Sequence, residues 1–367
     1  MAPIRIVLTF ALINFFLGCF AETSKSAVNS KGYFFYADTG GYNIQNSLPS
    51  DFVKDGSVDY TKYVQDAISH HDSIVFPSFP ILINDSGLTI GSNKVLTFLN
   101  GSKILLKSSQ KTGYYILLIK NATNVTVNNA VIVGDRDTHI GKQGEWGMGL
   151  GIISSSNIVI NNPNITDCWG DGIYLGETGK PNTNITISNA YIKNNRRNGI
   201  SVISVNGLKL ISPYLGFENG TAPMSGIDLE PNGPQDELKN IEITDPVTEN
   251  NKGEGILMFL DRMYSDTDKD VSITINNHKD NGSSSGFRVI CNKLKPSTGK
   301  IGGTIITYNP SWKKNTRKPL DATDIVNPNL QIVIKGAIID NKGVSARNAN
   351  SFLKKAVSAK GNFKITN

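Results

Sequence analysis

A glycine recurs through the middle of this 367-residue chain at nearly constant intervals, and each glycine opens a short apolar run. The runs are "DGIYLG", "NGISVIS", "SGIDLE", "EGILMF" and "SGFRVI", whose glycines Gly172, Gly199, Gly226, Gly255 and Gly286 lie 27, 27, 29 and 31 residues apart. A second series of β-branched runs, including "SNIVINNPNITDC" and "TNITISNAYIKNN", lies half a period away. Two β segments per repeat with no helix between them predict a solenoid, in which each turn buries its apolar face against the next.

Two other repetitive β architectures fit this period less well. A β-propeller blade needs about 40 residues. A β-sandwich prefers hairpin turns, whereas the turn signals here are diffuse. We therefore predict one all-β domain built of stacked, parallel strands.

The asparagine-rich repeats and the opening segment "VDYTKYVQDAISHHDSIVFPSFPILI" (58–83) resemble the right-handed parallel β-helix proteins of the pectate-lyase-like superfamily. This resemblance implies a single-stranded right-handed parallel β-helix with an N-terminal capping helix. The apolar stripe of that helix would consist of Tyr60, Tyr63, Val64, Ala67 and Ile68. Asp59 or Thr61 would cap its first turn.

The first residues have the anatomy of a secretory signal peptide: Arg5, then an apolar run of about fifteen residues, then small residues. Cleavage after Ala21 would leave the domain 22–367, whereas "FLGC" resembles a lipobox whose Cys19 would carry a lipid anchor. We expect a secreted or periplasmic protein, or one anchored through Cys19. No other apolar stretch reaches the ~18 residues that a membrane span requires.

Within that domain we expect an N-terminal cap over about 30–90, β-helical rungs over about 91–340 and a flanking helix over about 344–361. Only Cys168 and Cys291 remain after signal removal, so a large core rather than a disulfide framework must stabilise the fold. The alignment puts these cysteines four turns apart, about 19 Å, too far for a bridge. Eight Asn-X-Ser/Thr sequons lie along the chain, several of them within the repeat, where asparagine is expected as a turn residue.

Aligning the repeats places equivalent residues about 4.8 Å apart on successive turns. The predicted outward ladder is Tyr174, Ser201, Asp228, Leu257 and Arg288, and the inward ladder is Ile173, Ile200, Ile227, Ile256 and Phe287. A corner ladder of Asp171, Asn198, Ser225 and Glu254 precedes the strand. Because side chains alternate along a strand, Asp228 and Glu230 point to the same outer face.

This pair is the strongest functional signal, because the repeat does not require an acid at either position. We predict Asp228 and Glu230 as the catalytic acid and base, in unresolved order, with Asp171 as substitute or helper. Their strand positions are about 6.6 Å apart, which allows the ~6.5–9.5 Å carboxyl separation of an inverting glycosidase and fits a retaining enzyme poorly.

Other charged and aromatic residues lie near this face and suit a sugar polymer, since aromatics stack on rings and arginines bind anionic groups. The predicted substrate-binding residues are Arg196, Arg197, Glu145, Trp146, His139 and Tyr174. A solvated surface or a packing role is the ordinary alternative for each of them taken singly. The expected partner is a polysaccharide or oligosaccharide, neutral or anionic.

The function that follows is a polysaccharide-active enzyme, with glycoside hydrolysis favoured. The resemblance also implies a lyase or a uronate C5-epimerase, in which Arg196, Arg197 or Arg288 would neutralise a uronate and His139 or Tyr174 would move the proton. Polygalacturonase-like enzymes carry an Asp pair where "WGDGIYLG" has one Asp, so their catalytic residues do not transfer. A non-enzymatic adhesin or polysaccharide-binding solenoid is a further alternative.

Cofactors and nucleic acids are not expected. No Cys or His cluster indicates zinc, and "GDRD" (134–137) offers two carboxylates, which is weak evidence for calcium. The formal net charge of +6 is a mild excess that suits an anionic partner. No basic run interleaved with aromatics indicates nucleic-acid binding.

Overall fold

The computed structural model describes the backbone of 27–28 and 34–35, and residues 40–292, 298–325, 327–340 and 349–366. Met1–Gly40 and Gly41–Asn367 are separate units. In the first unit, Ala27–Val28 pairs antiparallel with Phe34–Phe35. The predicted signal peptide and Cys19 lie outside the described residues.

In the second unit the β-branched runs form strands, because alternating apolar side chains fit a pleated sheet with one buried face. The strands pair in parallel with their equivalents on neighbouring turns and build three sheets. The first sheet has 12 strands in the described part of the chain. They are Tyr42–Asn43, Ser73–Phe76, Lys94–Phe98, Thr123–Asn128, Ser156–Asn161, Asn182–Ser188, Val205–Ile211, Leu238–Thr244, Lys269–Asn276, Ile301–Tyr308, Gln331–Lys335 and Asn362–Thr366.

The second and third sheets have shorter strands in most turns. The ten described strands of the second sheet are Pro80–Ile83, Lys103–Leu106, Val131–Val133, Asn164–Thr166, Tyr191–Lys193, Tyr214–Gly216, Val247–Glu249, Lys279–Asn281, Ser311–Lys313 and Ile338–Asp340. The nine described strands of the third sheet are Leu88–Ile90, Gly113–Lys120, Trp146–Ile153, Ile173–Gly176, Ile200–Val202, Ile227–Leu229, Ile256–Phe259, Ser285–Ile290 and Lys318–Asp321. The result is a parallel β-solenoid of about ten turns.

The predicted inward ladder is confirmed. Ile200 pairs with Ile173 and Ile227, and Ile256 pairs with Ile227 and Phe287. All five side chains are fully buried in one continuous core. Cys168 and Cys291 are also buried and are free thiols, as the predicted separation required.

Asparagine forms the turns between the first and second sheets. Asn129, Asn162 and Asn189 have φ angles of 57°, 52° and 53°, in the left-handed region that asparagine tolerates better than most residues. The Nδ2 of Asn162 donates to Oδ1 of Asn129, and the Nδ2 of Asn189 donates to Oδ1 of Asn162, both at 2.9 Å. The sequon residue Asn121 has the same backbone conformation between two strands, whereas Asn124, with a φ of 57°, lies within the strand Thr123–Asn128.

The predicted N-terminal helix spans Thr61–His70. Val64, Ala67 and Ile68 are buried in the core as predicted, but the side of the helix that carries Tyr63 faces outward, and Tyr63 is 40% exposed. The N-cap position is Tyr60, whose side chain makes no capping hydrogen bond, so the predicted cap at Asp59 or Thr61 is wrong. Asp59 Oδ1 nevertheless accepts the backbone N–H of Thr61 at 3.0 Å. That this helix closes the end of the solenoid stays a prediction.

Two boundaries differ from the sequence-based expectation. The three sheets already have strands over 73–90, ahead of the expected start near residue 91, because "SIVF", "PILI" and "LTI" are short β-forming runs. At the other end, the described helix is only Ala349–Lys355, and the chain then returns as Asn362–Thr366 to pair with Gln331–Lys335. In the described part of the chain, no helix is long and apolar enough to cross a membrane.

Asn162 tests the turn ladder. Asn162→Ala is expected to lower the free energy of unfolding by about 2–3 kcal/mol. The left-handed backbone conformation costs alanine ~1–2 kcal/mol, and the variant also loses the cross-turn hydrogen bonds. Asn162→Gly keeps a relaxed backbone and should lose roughly 1 kcal/mol less. Urea unfolding of the three proteins measures this, and equal losses for alanine and glycine would contradict the backbone argument.

Candidate active site

The predicted outward ladder of the third sheet is confirmed. Ser201 pairs with Tyr174 and Asp228, and Leu257 pairs with Asp228 and Arg288. The backbone N–H of Glu230 donates to the carbonyl of Val202 at 3.0 Å, which continues the strand pairing up to the predicted acid pair. The strand register therefore brings the acids of "SGIDLE" beside Ser201.

The corner residues before these strands form a hydrogen-bonded ladder. Asp171 Oδ1 accepts the backbone N–H of Asn198 at 3.0 Å, and Asn198 Oδ1 accepts that of Ser225 at 2.8 Å. Ser225 Oγ in turn accepts the N–H of Glu254 at 3.2 Å. Asp171 is fully buried. One of its functions is therefore to satisfy the corner backbone, which the sequence prediction did not assign to it.

Arg197 joins the corner ladder to the acid pair. Its Nη1 lies 3.0 Å from Asp171 Oδ2, and its Nη2 lies 3.1 Å from Glu230 Oε2. Burial opposes its charge, but the carboxylates of Asp171, Asp228 and Glu230 outweigh burial and raise the pKa of Arg197. One cation thus fixes the positions of acids that belong to different turns.

Asp228 lies behind this ion pair and has no exposed surface. Its Oδ2 accepts a hydrogen bond from Asn198 Nδ2 at 3.1 Å. Burial raises the pKa of Asp228 well above its ordinary value, and the charge of Glu230 raises it further. A buried carboxyl group beside a second carboxylate holds its proton more tightly than an exposed one.

The predicted carboxyl separation of ~6.5–9.5 Å stays a prediction for this pair. The charge of Arg197 acts on both carboxyl groups, and Asp228 Oδ1 has no hydrogen-bond partner in the described part of the chain. We call the two residues the carboxyl dyad.

Glu230 is the outer member of the dyad. Its side chain is 17% exposed, and its Oε1 lies 3.4 Å from Nη1 of Arg262. Arg262 is half-exposed, stands on the short 3₁₀ helix Asp261–Met263, and donates to Asn232 Oδ1 at 3.3 Å. Sequence reasoning missed Arg262, because only the folding back of this helix after the strand brings it to Glu230.

Aromatic side chains also stand on the third sheet, on the turns that precede the dyad. Tyr174 is half-buried beside Tyr115, with ring centroids 6.4 Å apart, and burial raises its pKa. Trp146, at the start of a strand of the third sheet, is 56% exposed. Glu145 is half-buried, and its charge acts on both Arg196 and Arg197. These three predicted substrate-binding residues remain accessible in part.

Arg196 and His139 are placed differently from the prediction. The Arg196 guanidinium lies 3.8 Å from the centre of a Trp169 ring, and its Nη1 donates to the Gly144 carbonyl at 2.8 Å. The His139 ring stacks on Trp169 at 3.9 Å, and its Nδ1 lies 2.8 Å from Asp135 Oδ2. The His139 side chain has no exposed surface. Both residues hold the 134–147 loop in place, and His139 cannot contact a sugar in this arrangement.

Arg288 belongs to another ion-pair group, two turns along the ladder. It lies 3.4 Å from Glu254 and 3.3 Å from Asp324. The described residues hold no group of three His, Cys, Asp or Glu side chains suited to a metal ion. Asp135 of "GDRD" instead bonds to Tyr114 and to the backbone N–H of Ser109.

Three kinds of similarity accompany this geometry. Residues 81–212 match the family model described as right handed beta helix region. The uncharacterized protein YclG of Bacillus subtilis is 26% identical over 228 residues, with 53% of this chain and 39% of YclG covered. The SPbeta prophage-derived uncharacterized protein YorA of Bacillus subtilis is 29% identical over 162 residues, with 39% of this chain and 28% of YorA covered. The chain thus spans less than half the length of either relative.

Solved structures with similar folds include the pre-mature gene product 12 of bacteriophage phi29, with a TM-score of 0.60 and 16% identity over 83% of this chain and 42% of that chain. The A-module of Azotobacter vinelandii mannuronan C-5 epimerase AlgE6 has a TM-score of 0.52 and 15% identity, with 89% of this chain and 99% of that chain covered. A tailspike mutant of E. coli bacteriophage HK620 in complex with pentasaccharide has a TM-score of 0.60 and 11% identity, with 85% of this chain and 60% of that chain covered. At these identities the likeness concerns the fold alone, and it confirms the right-handed parallel β-helix.

Proposed function

We propose that this protein is a polysaccharide-active enzyme that hydrolyses glycosidic bonds at the carboxyl dyad. The observation that carries the proposal is the burial of Asp228 one residue before Glu230, which itself contacts two arginines and reaches the surface. A carboxyl group that keeps a proton near neutral pH is what general-acid catalysis requires. The pentasaccharide bound to the HK620 tailspike and the mannuronan epimerase support a carbohydrate substrate for this fold.

In the proposed reaction, Glu230 is the catalytic residue because its side chain reaches the surface. The dyad proton passes to the glycosidic oxygen as the bond from that oxygen to the anomeric carbon breaks. Water adds to the anomeric carbon, and its surplus proton returns to the dyad. The products are a new reducing end and the released alcohol, and the dyad ends in its starting state.

The remaining residues position the dyad and the sugar. Asp228 is a positioning residue that stores the proton, and Asp171 is a positioning residue that acts through Arg197. Tyr174 and Trp146 offer ring faces for stacking, and Arg262 offers a half-exposed cation to an anionic substituent. The chemistry needs no cofactor, and the secretion indicated by the N-terminal sequence would bring the enzyme to extracellular polymers.

A polysaccharide-binding role without turnover is the second candidate. The complete burial of Asp171 and Asp228 favours it, because paired and buried charges also occur in purely structural networks. Incubation with neutral and uronic polysaccharides separates the candidates when reducing ends and unsaturated products are both recorded. New reducing ends without unsaturation support hydrolysis. Unsaturated products indicate a lyase, and binding without products indicates the second candidate.

Glu230→Gln is expected to lower kcat on the polymer that wild-type protein cleaves by at least about 100-fold, since general-acid catalysis contributes about 10²–10⁴. Glu254→Gln is the matched control, because Glu254 is another buried carboxylate paired with an arginine on the same sheet. We expect that control to keep its activity. Full activity in Glu230→Gln, with an unchanged thermal midpoint, would overturn the site assignment.

Arg262→Gln is expected to shift the alkaline limb of the pH profile of kcat, where activity falls as pH rises, to higher pH. A nearby cation favours the ionised carboxylate, so its removal raises the apparent pKa of the dyad and preserves the acid form to higher pH. Asp228→Asn should instead remove the shared titration and flatten the same limb. An alkaline limb that stays in place in both variants would mean that the dyad does not govern the reaction.

A further inference from the structure

A groove of about 630 Å³ lies on the outer face of the first sheet, whereas the carboxyl dyad stands on the third sheet. The groove crosses the strands Asn182–Ser188, Val205–Ile211, Leu238–Thr244 and Lys269–Asn276 and reaches Thr304. Its size falls within the ~300–1,000 Å³ typical of small-molecule sites. Nothing in the proposed hydrolysis uses it.

A break in an asparagine ladder creates the groove. Asn157 Nδ2 donates to Asn124 Oδ1, and Asn184 Nδ2 donates to Asn157 Oδ1, both at 3.2 Å. Strand pairing puts Gly207 at the next position of this ladder, and Asn240 at the one after it. Gly207 has no side chain to continue the ladder. A notch therefore opens between Asn184 and Asn240.

A second ladder runs along the groove beside the notch and consists of Thr186, Lys209, Glu242 and Thr274. Lys209 and Glu242 are exposed neighbours of opposite charge. They form no ion pair with each other, and none with any other residue in the described ranges. Their ammonium and carboxylate groups are therefore available to a ligand, and their charges cancel.

We propose that this groove is a second, non-catalytic binding site for a neutral oligosaccharide segment. Hydroxyls, amides and one charge of each sign offer donors and acceptors at short intervals, which matches sugar hydroxyls that both donate and accept. A nucleic acid fits poorly, because one lysine among the described lining residues balances few phosphates. The choice of carbohydrate rests on the proposed function, but binding here does not require turnover.

The test is calorimetric titration of the full chain with maltohexaose, cellohexaose and laminarihexaose, and with trigalacturonate as a charged probe. The double variant Lys209→Ala/Glu242→Ala removes both free charges from exposed positions. Thr186→Val/Thr274→Val is a second variant, which removes two hydroxyl groups of the same ladder. Lys279→Ala, at an exposed lysine of the second sheet, is the matched control.

We expect saturable binding of one neutral hexasaccharide, weakened at least about tenfold in both groove variants and unchanged in Lys279→Ala. Equal affinity in wild-type protein and both groove variants would overturn the inference, as would the absence of binding to all three neutral probes. Cleavage of polymer without groove binding would leave the proposed hydrolysis standing. Groove binding without cleavage of any polymer would refute the hydrolysis and leave this inference standing.

Discussion

Hydrogen bonding between successive turns is the constraint on which this structure depends. A single turn has only three short strands and cannot bury its apolar residues, so each turn is stable only against its neighbours. Backbone pairing sets the spacing, and side-chain ladders such as Asn129, Asn162 and Asn189 hold the corners. Whatever stands on the outer surface inherits this spacing, which makes side-chain positions on adjacent turns predictable.

The spacing between turns brings the residues of the carboxyl dyad near Asp171 and Ser201, and Arg197 is needed in addition. Stacked turns alone would place Asp171, Ser201 and Asp228 near one another without fixing their protonation. Arg197 supplies the missing cation, because it contacts Asp171 and Glu230 together. With Arg262 on the outer side, two arginines contact these acids, and burial raises the pKa of both Asp171 and Asp228. The same scaffold thus carries acids on which burial and paired cations act in opposite directions.

The repeat in the sequence predicts the strand register correctly. The spacing of the glycines predicts the pairing of Ile200 with Ile227 and of Ser201 with Asp228, because strand register repeats with the turn. It could not predict the burial of His139, which depends on how the 134–147 loop folds over Trp169. It also missed Arg262, whose approach to Glu230 depends on a short 3₁₀ helix in a segment outside the repeat. Side-chain direction and loop paths depend on contacts between turns, and a one-dimensional pattern does not carry those contacts.

The central claim is that burial, together with the neighbouring charge of Glu230, raises the pKa of Asp228 well above the ordinary aspartate value. Carboxyl ¹³C chemical shifts of Asp228, assigned by comparison with Asp228→Asn and followed by NMR from acidic to alkaline pH, test it most directly. The account predicts that Asp228 keeps the shift of a protonated carboxyl well above the pH at which an ordinary aspartate ionises, and that its titration moves to lower pH in Glu230→Gln. An Asp228 signal that titrates near the ordinary aspartate pKa of about 3.9, unaffected by Glu230→Gln, would contradict the account.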